Sequence, residues 1–140
     1  MEQRISLITL GVADLARSRA FYEALGWAAE PASTEGIVYF DLGGPALALL
    51  ARAALARGAV IEDGGAAFSG LTLTYYVRRQ EEIYDLLGQV QAAGGSVLKP
   101  AAKVPWGGYV GWFADPDGHP WEVAWSPNVR LDAGGRLRLS

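Results

Sequence analysis

The chain contains no cysteine, and only one histidine (His119) and one methionine. The absence of cysteine excludes disulfides, thiolate metal sites and a cysteine nucleophile. Basic charge is also scarce: 12 Lys and Arg stand against 15 Asp and Glu, a formal net charge of −3. Nucleic-acid binding therefore has no electrostatic support. No apolar run approaches the roughly 18 residues of a membrane span, so no membrane partner is expected. The opening MEQRISLITLGVADLARS lacks the long apolar core and small-residue cleavage site of a signal peptide. A cytoplasmic protein is the expectation. Charged residues make up 19%, too few for a disordered chain, while 51% hydrophobic residues supply a core. The length of 140 residues suits one domain.

Alternation and turn chemistry then divide the chain. Ile5 to Val12 alternates as a strand with two different faces. Asp14 is placed to cap a helix carrying Leu15, Ser18, Phe21, Tyr22 and Leu25 at helical spacing, which Gly26 ends. Ile37 to Leu42 and Ala46 to Leu50 read as strands joined by Gly43, Gly44 and Pro45. A short helical piece, ARAALARG, and a Gly/Ala-rich connector to Gly70 follow. The pattern then restarts. Leu71 to Val77 is predicted as a strand, Gln80 to Ala93 as a helix ended by Gly94 and Gly95, and Ser96 to Leu98 as a short strand. Tyr109 to Ala114 and Trp121 to Trp125 are strands flanking the turn DPDGHP, and the tail can make a small hairpin.

The order therefore repeats as strand, helix and three strands. Leu7 to Asp14 aligns with Thr72 to Arg79, Gly26 with Gly94 or Gly95, and Phe40 to Leu50 with Phe113 to Ala124. The expected architecture is α+β: two βαβββ modules forming a curved mixed sheet around a cup. Module one covers about 4–50, the connector 51–70, module two 71–126 and the tail 127–140, all in one domain.

Two segments carry a resemblance. LGVADLARSRAFYEALGW (Leu10 to Trp27) resembles the opening strand, Asp cap and "S…FY…LG" helix of the vicinal oxygen chelate superfamily, which joins glyoxalases, bleomycin-resistance proteins and dioxygenases. GYVGWFADPDGHPWEV resembles that family's closing "DPDG…E" hairpin. Both occur in order at the family's spacing, and the likeness spans nearly the whole chain. It implies a small-molecule cup of the small bacterial glyoxalase-like type. The family's metal enzymes carry ligands at four strand positions, two per repeat. Transferred here, those positions fall on Leu7, Ala48, Thr72 and Glu122. Only Glu122 is a donor of the required kind, and about three protein ligands are the usual minimum. The expectation is therefore no metal ligand set and no cofactor.

Other candidates rest on residue type and setting. Alternation puts Trp121, Val123 and Trp125 on one face and Glu122 and Ala124 on the other. If the aromatic face packs on helices, Glu122 points into the cup as an acid/base or polar anchor; otherwise it is a structural partner of an Arg or hydroxyl. Thr9, Thr72, Thr74 and Tyr76 hold alternate positions of the two leading strands and suit hydrogen bonding to a neutral polar ligand, although Thr is also simply a good strand former. Trp106 and Tyr109, beside Gly107 and Gly108, are read as pocket rim, and Trp112 as core. His119 is read as turn-adjacent rather than as a base. Asp115, Pro116, Asp117 and Gly118 are read as turn chemistry rather than a metal loop. Arg17, Arg19, Arg78, Arg79, Glu81, Glu82, Arg136 and Arg138 are read as solvated charge. Gly43-Gly44 and Gly107-Gly108 lack the strand–loop–helix setting of a phosphate loop.

Three functions remain open on these grounds: a non-metal protein that binds a small organic molecule, a metal-free enzyme of lyase or isomerase type using Glu122, and a metal-dependent glyoxalase- or dioxygenase-type enzyme. The lost ligands count against the third. A homodimer is expected, because paired modules of this kind leave apolar edges and the 11% aromatic content suits such contacts.

Overall fold

A computed structural model describes residues 1, 3, 6–59, 63, 69 and 71–138. Most of the Gly/Ala-rich connector, and Ile5 at the start of the first expected strand, lie outside the described residues. The chain divides into two compact units, Met1–Ser69 and Gly70–Ser140. Their mixed sheets and the three helices among the described residues make an α+β fold. Among those residues no helix is long and apolar enough to cross a membrane.

The first unit contains β1 (Leu7–Val12), α1 (Leu15–Ala24), β2 (Ile37–Asp41), β3 (Ala46–Ala51) and α2 (Arg52–Ala59). Asp14 caps α1, its Oδ1 accepting the Arg17 N–H at 2.9 Å. Gly26 ends the helix at φ +100, where a side chain would be strained. The Trp27 N–H then reaches the Tyr22 carbonyl and the Gly26 N–H the Glu23 carbonyl, which satisfies two orphan acceptors. Strand order is β1-β3-β2, with β1 parallel and β2 antiparallel to β3. Leu10, Val12, Val38, Phe40, Leu47 and Leu49 share one buried face, and α1 packs on this sheet with Phe21 and Tyr22 buried. Tyr22 stacks on Trp27 at 5.3 Å and also meets Phe40. Each such buried side chain contributes roughly 1.5–3 kcal/mol. On the opposite face α2 crosses one end of the sheet. A Cβ on Gly11 would stand 3.2 Å from Arg52 Cα, so the close approach uses glycine.

Among the described residues of this unit, two strands, β2 and β3, follow α1. The segment before β2 starts to pair, with the Glu30 N–H on the Tyr39 carbonyl at 2.8 Å. The Thr34 N–H returns to the Ile37 carbonyl at 2.8 Å, but the bonds between these two points do not form a regular ladder. Pro31 has no N–H to donate, and the Ser33 hydroxyl, rather than a backbone carbonyl, accepts the Tyr39 N–H at 2.9 Å.

The second unit contains β4 (Leu73–Tyr76), α3 (Glu82–Ala92), β5 (Ser96–Lys103), β6 (Tyr109–Ala114), β7 (Pro120–Trp125) and a tail hairpin, β8 (Arg130–Leu131) with β9 (Leu137–Arg138). Strand order is β4-β7-β6-β5. Here β4 runs parallel to β7, as β1 does to β3. The repeat also holds in register: Phe40 pairs with Leu47 and Phe113 with Trp121. Gly94, at φ +98, is the counterpart of Gly26. Ile83, Leu87 and Val90 are the buried side of α3. A Cβ on Gly111 would lie 2.8 Å from Leu87 Cδ1, which identifies the face of β6 that the helix covers.

Strand β5 runs to Lys103, well past the expected end at Leu98. Its length was hidden by Pro100, which an edge strand with register irregularities tolerates, and β5 shows such shifts on both sides of Lys99. The turn after β6 behaves as its composition predicts. Asp115 is buried, its Oδ1 accepts the Asp117 and His119 N–H groups, and Gly118 has φ +85. Arg78, expected as solvated charge, has a structural role. Its guanidinium donates to the Asp132 and Ala133 carbonyls, at 3.0 and 2.9 Å, and so holds the tail turn. Arg138 pairs with Asp132 at 3.2 Å.

Candidate functional site

Each unit has one sheet face packed by its long helix and a second face turned away from it. In the second unit the helix side carries Trp121, Val123, Phe113 and Gly111, with Phe113 stacked on Trp121 at 5.9 Å. Strand alternation turns Glu122 the other way. There it is half-buried, opposite Thr74 on β4 and Trp112 on β6. The Thr74 hydroxyl donates to Glu122 Oε1 at 3.4 Å, a long bond. Tyr76, two residues along β4, is half-buried on the same face beside Ala124, which is fully buried.

The corresponding face of the first unit, crossed at one end by α2, is built from equivalent positions with different chemistry. Thr9 is half-buried and lies opposite Ala48, as Thr74 lies opposite Glu122. Tyr39 flanks Ala48 on the other side. Leu7 is exposed, and its register partner is Ala46. Where the second unit has a carboxylate, the first has a methyl group.

The remaining sequence candidates are scattered. Thr72 is exposed and precedes β4. Tyr109, paired with Trp125, falls in step with Gly111 and Phe113 and so sits on the helix side. Trp106 is exposed in the turn before β6, and a Cβ on Gly108 would overlap its ring. His119 is half-buried at the hairpin tip, where its main chain bonds to Asp115. Trp112, read from the sequence as core, is the residue that sequence reasoning missed. It is half-buried beside Glu122. The signal was present in the hairpin register: if Phe113 opposes Trp121 across the turn, Trp112 must oppose Glu122.

The family metal does not fit these residues. Leu7, Ala48 and Thr72 bring no carboxylate or imidazole, and among the described residues no group of three or more His, Cys, Asp or Glu could hold a metal ion. Two cavities lie elsewhere in the second unit. One of about 180 Å³ is lined by Val77, Arg78, Trp125, Ser126, Val129 and Leu131. The other, about 230 Å³, is lined by Tyr75, Tyr76, Arg78, Glu82, Leu131, Gly134 and Gly135. Both fall below the roughly 300–1,000 Å³ of ordinary ligand pockets. Arg78, which borders both, is engaged with the tail. Glu82 is held below the usual carboxylate range, chiefly by the hydrogen bond from Arg79. Backbone bonding from Arg136 does the same for Asp132.

Comparison with known proteins agrees with this architecture. No curated protein matches in sequence. Among solved structures, a glyoxalase-related enzyme from Fulvimarina pelagi is 34% identical, covers 99% of each chain and superposes with a TM-score of 0.88. A hypothetical protein from S. aureus is 25% identical over 90% of this chain and 95% of its own, with a TM-score of 0.78. A lactoylglutathione lyase from Agrobacterium tumefaciens, 21% identical over 90% of this chain and 96% of its own at a TM-score of 0.67, shares the fold alone. The family profile described as Glyoxalase/Bleomycin resistance protein/Dioxygenase superfamily matches residues 4–123. The chain therefore belongs to the glyoxalase/bleomycin resistance/dioxygenase superfamily.

Proposed function

We propose that this protein binds a small organic molecule without the divalent metal of its family's enzymes, using the helix-free face of the second unit with Glu122 as polar anchor. One observation carries the reading: Glu122 stands half-buried on that face, bonded to Thr74 and beside Trp112. Thr74 orients the carboxylate, and Trp112 and Tyr76 supply contact area on either side. The exposed Trp106 is a secondary contact, and Thr9 offers the equivalent hydroxyl on the first unit's own sheet. Thr72 and Tyr109 drop out, the first because it precedes its strand and the second because it lies on the helix side. The lack of a donor set among the described residues supports metal independence. The protein acts in the cytoplasm as a homodimer, a state supported by exposed Tyr84 and Leu98.

A second reading is favoured by the Thr74–Glu122 hydrogen bond. A carboxylate beside a hydroxyl can move a proton, so the same face would serve a metal-free lyase or isomerase. A thermal-shift screen of metabolites, repeated on Glu122→Gln, tests both readings. Ligands that stabilise the native protein and not the variant support the site; hits that stabilise both equally refute it. Turnover of a hit separates enzyme from binding protein. Elemental analysis of untagged protein should find no stoichiometric metal. About one equivalent of Zn, Ni, Mn or Fe per chain, lost in Glu122→Ala, would overturn the metal-free reading.

A further inference from the structure

Glu122 is a half-buried carboxylate with no cationic partner among the described residues. Its hydrogen bond there comes from the Thr74 hydroxyl, at 3.4 Å. An ionised carboxylate offers about four acceptor sites, so most of its capacity is left for something else. The same-face neighbours are uncharged. Thr74 and Trp112 lie directly across, and Tyr76, Ala124, Pro120, Val110 and Ala114 lie one step along the three strands. The next cation in the register is Lys99, opposite Trp112 on its far side. Two strand spacings put it roughly 10 Å from Glu122, about a Debye length in ordinary salt. Its side chain is exposed, so it does not neutralise the carboxylate.

A ligand that covers Glu122 removes its water. A neutral ligand would leave a poorly bonded charge beneath it, and an anion would add repulsion. An ammonium group brings donors and opposite charge together, and the neighbouring indole offers a π face that attracts cations. Resting on the binding site proposed above, we infer that this face takes an organic ammonium: a primary or secondary amine that donates N–H to Glu122 while its carbon frame lies on Trp112.

The test uses three probes of similar size with the full-length protein: phenethylamine, 2-phenylethanol and 3-phenylpropionate. Binding is read by calorimetry and ligand-observed NMR at neutral pH and low salt. Phenethylamine should bind about tenfold tighter than the other two, as expected of a partly desolvated charge-assisted bond. Glu122→Gln should abolish that preference, and Trp112→Leu should weaken all three. If Trp112→Leu does not fold, Trp112→Phe carries the same comparison with a smaller loss. Equal or tighter binding of 3-phenylpropionate, a preference that persists in Glu122→Gln, or no phenethylamine binding at millimolar concentration overturns the ammonium assignment. Probes that bind equally and lose affinity in Trp112→Leu also overturn it, while leaving the binding face standing. A screening hit indifferent to both substitutions removes the face itself.

Discussion

Glu122→Gln is the substitution that most sharply tests how this fold uses its one retained carboxylate. Gln keeps the shape, and its amide oxygen can still accept from Thr74. The bond at stake is long, at 3.4 Å, so it contributes no more than the roughly 0.5–1.5 kcal/mol of an ordinary net hydrogen bond. Against that loss, a half-buried charge and its desolvation cost disappear. The two terms nearly cancel, and stability should stay within about 1 kcal/mol of the native protein. For a domain of this size that is a melting shift of roughly 3–5 °C at most, in either direction. Calorimetric melts of both proteins read it directly. A drop of more than about 10 °C would mean several kcal/mol lost, the signature of a buried charge with a partner the fold needs. Glu122 would then be a structural partner and not a ligand anchor. Unchanged stability with unchanged ligand response would mean that Glu122 does not face the ligand.

Sedimentation at micromolar concentration should show a species of about twice the 14.9 kDa chain mass; a monomer alone refutes the homodimer. Gly111→Val should destabilise by about 1–3 kcal/mol through overpacking, because a Cβ there meets Leu87 Cδ1 at 2.8 Å; a neutral effect in denaturant titration would contradict the packing of α3 on β6. Arg79→Ala should lower stability at neutral pH by removing the interaction that depresses the Glu82 pKa. A depressed carboxylate stabilises above its unfolded pKa, near 4.5, and loses that contribution as pH falls through its lower folded value. The gap between native and variant melting temperatures should therefore close as the pH falls below 4.5 and through the lower folded value, and a gap that widens there would refute the assignment.

Much of this fold is legible because its signals are local. Asp14 caps α1, Gly26 and Gly94 end helices at positive φ, and Asp115 to Gly118 form the expected turn. Each depends on residues within a few positions of one another, so side-chain chemistry alone specifies it. Period-two alternation likewise separated Glu122 from Trp121 and Val123, all within a single strand. What stands opposite Glu122 is a different matter, since pairing joins residues distant in sequence and a slip of one position reverses every face. Thr74 is 48 residues away, and Trp112 reached its place only through the β6–β7 register, so composition alone assigned it to the core. The length of β5 was hidden because a proline is forbidden or tolerated according to whether its strand is an edge, which only the assembled sheet decides. The segment before β2 is a local case: Pro31 has no N–H to donate and the Ser33 hydroxyl takes the Tyr39 N–H, so its backbone bonds to β2 come from the Glu30 and Thr34 N–H groups. Arg78 bonds across 54 and 55 residues to the tail, contacts that no local pattern encodes. Local chemistry determined the helix ends and the tight turns, and long-range pairing decided how far β5 runs and which side chains meet on the face that holds Glu122.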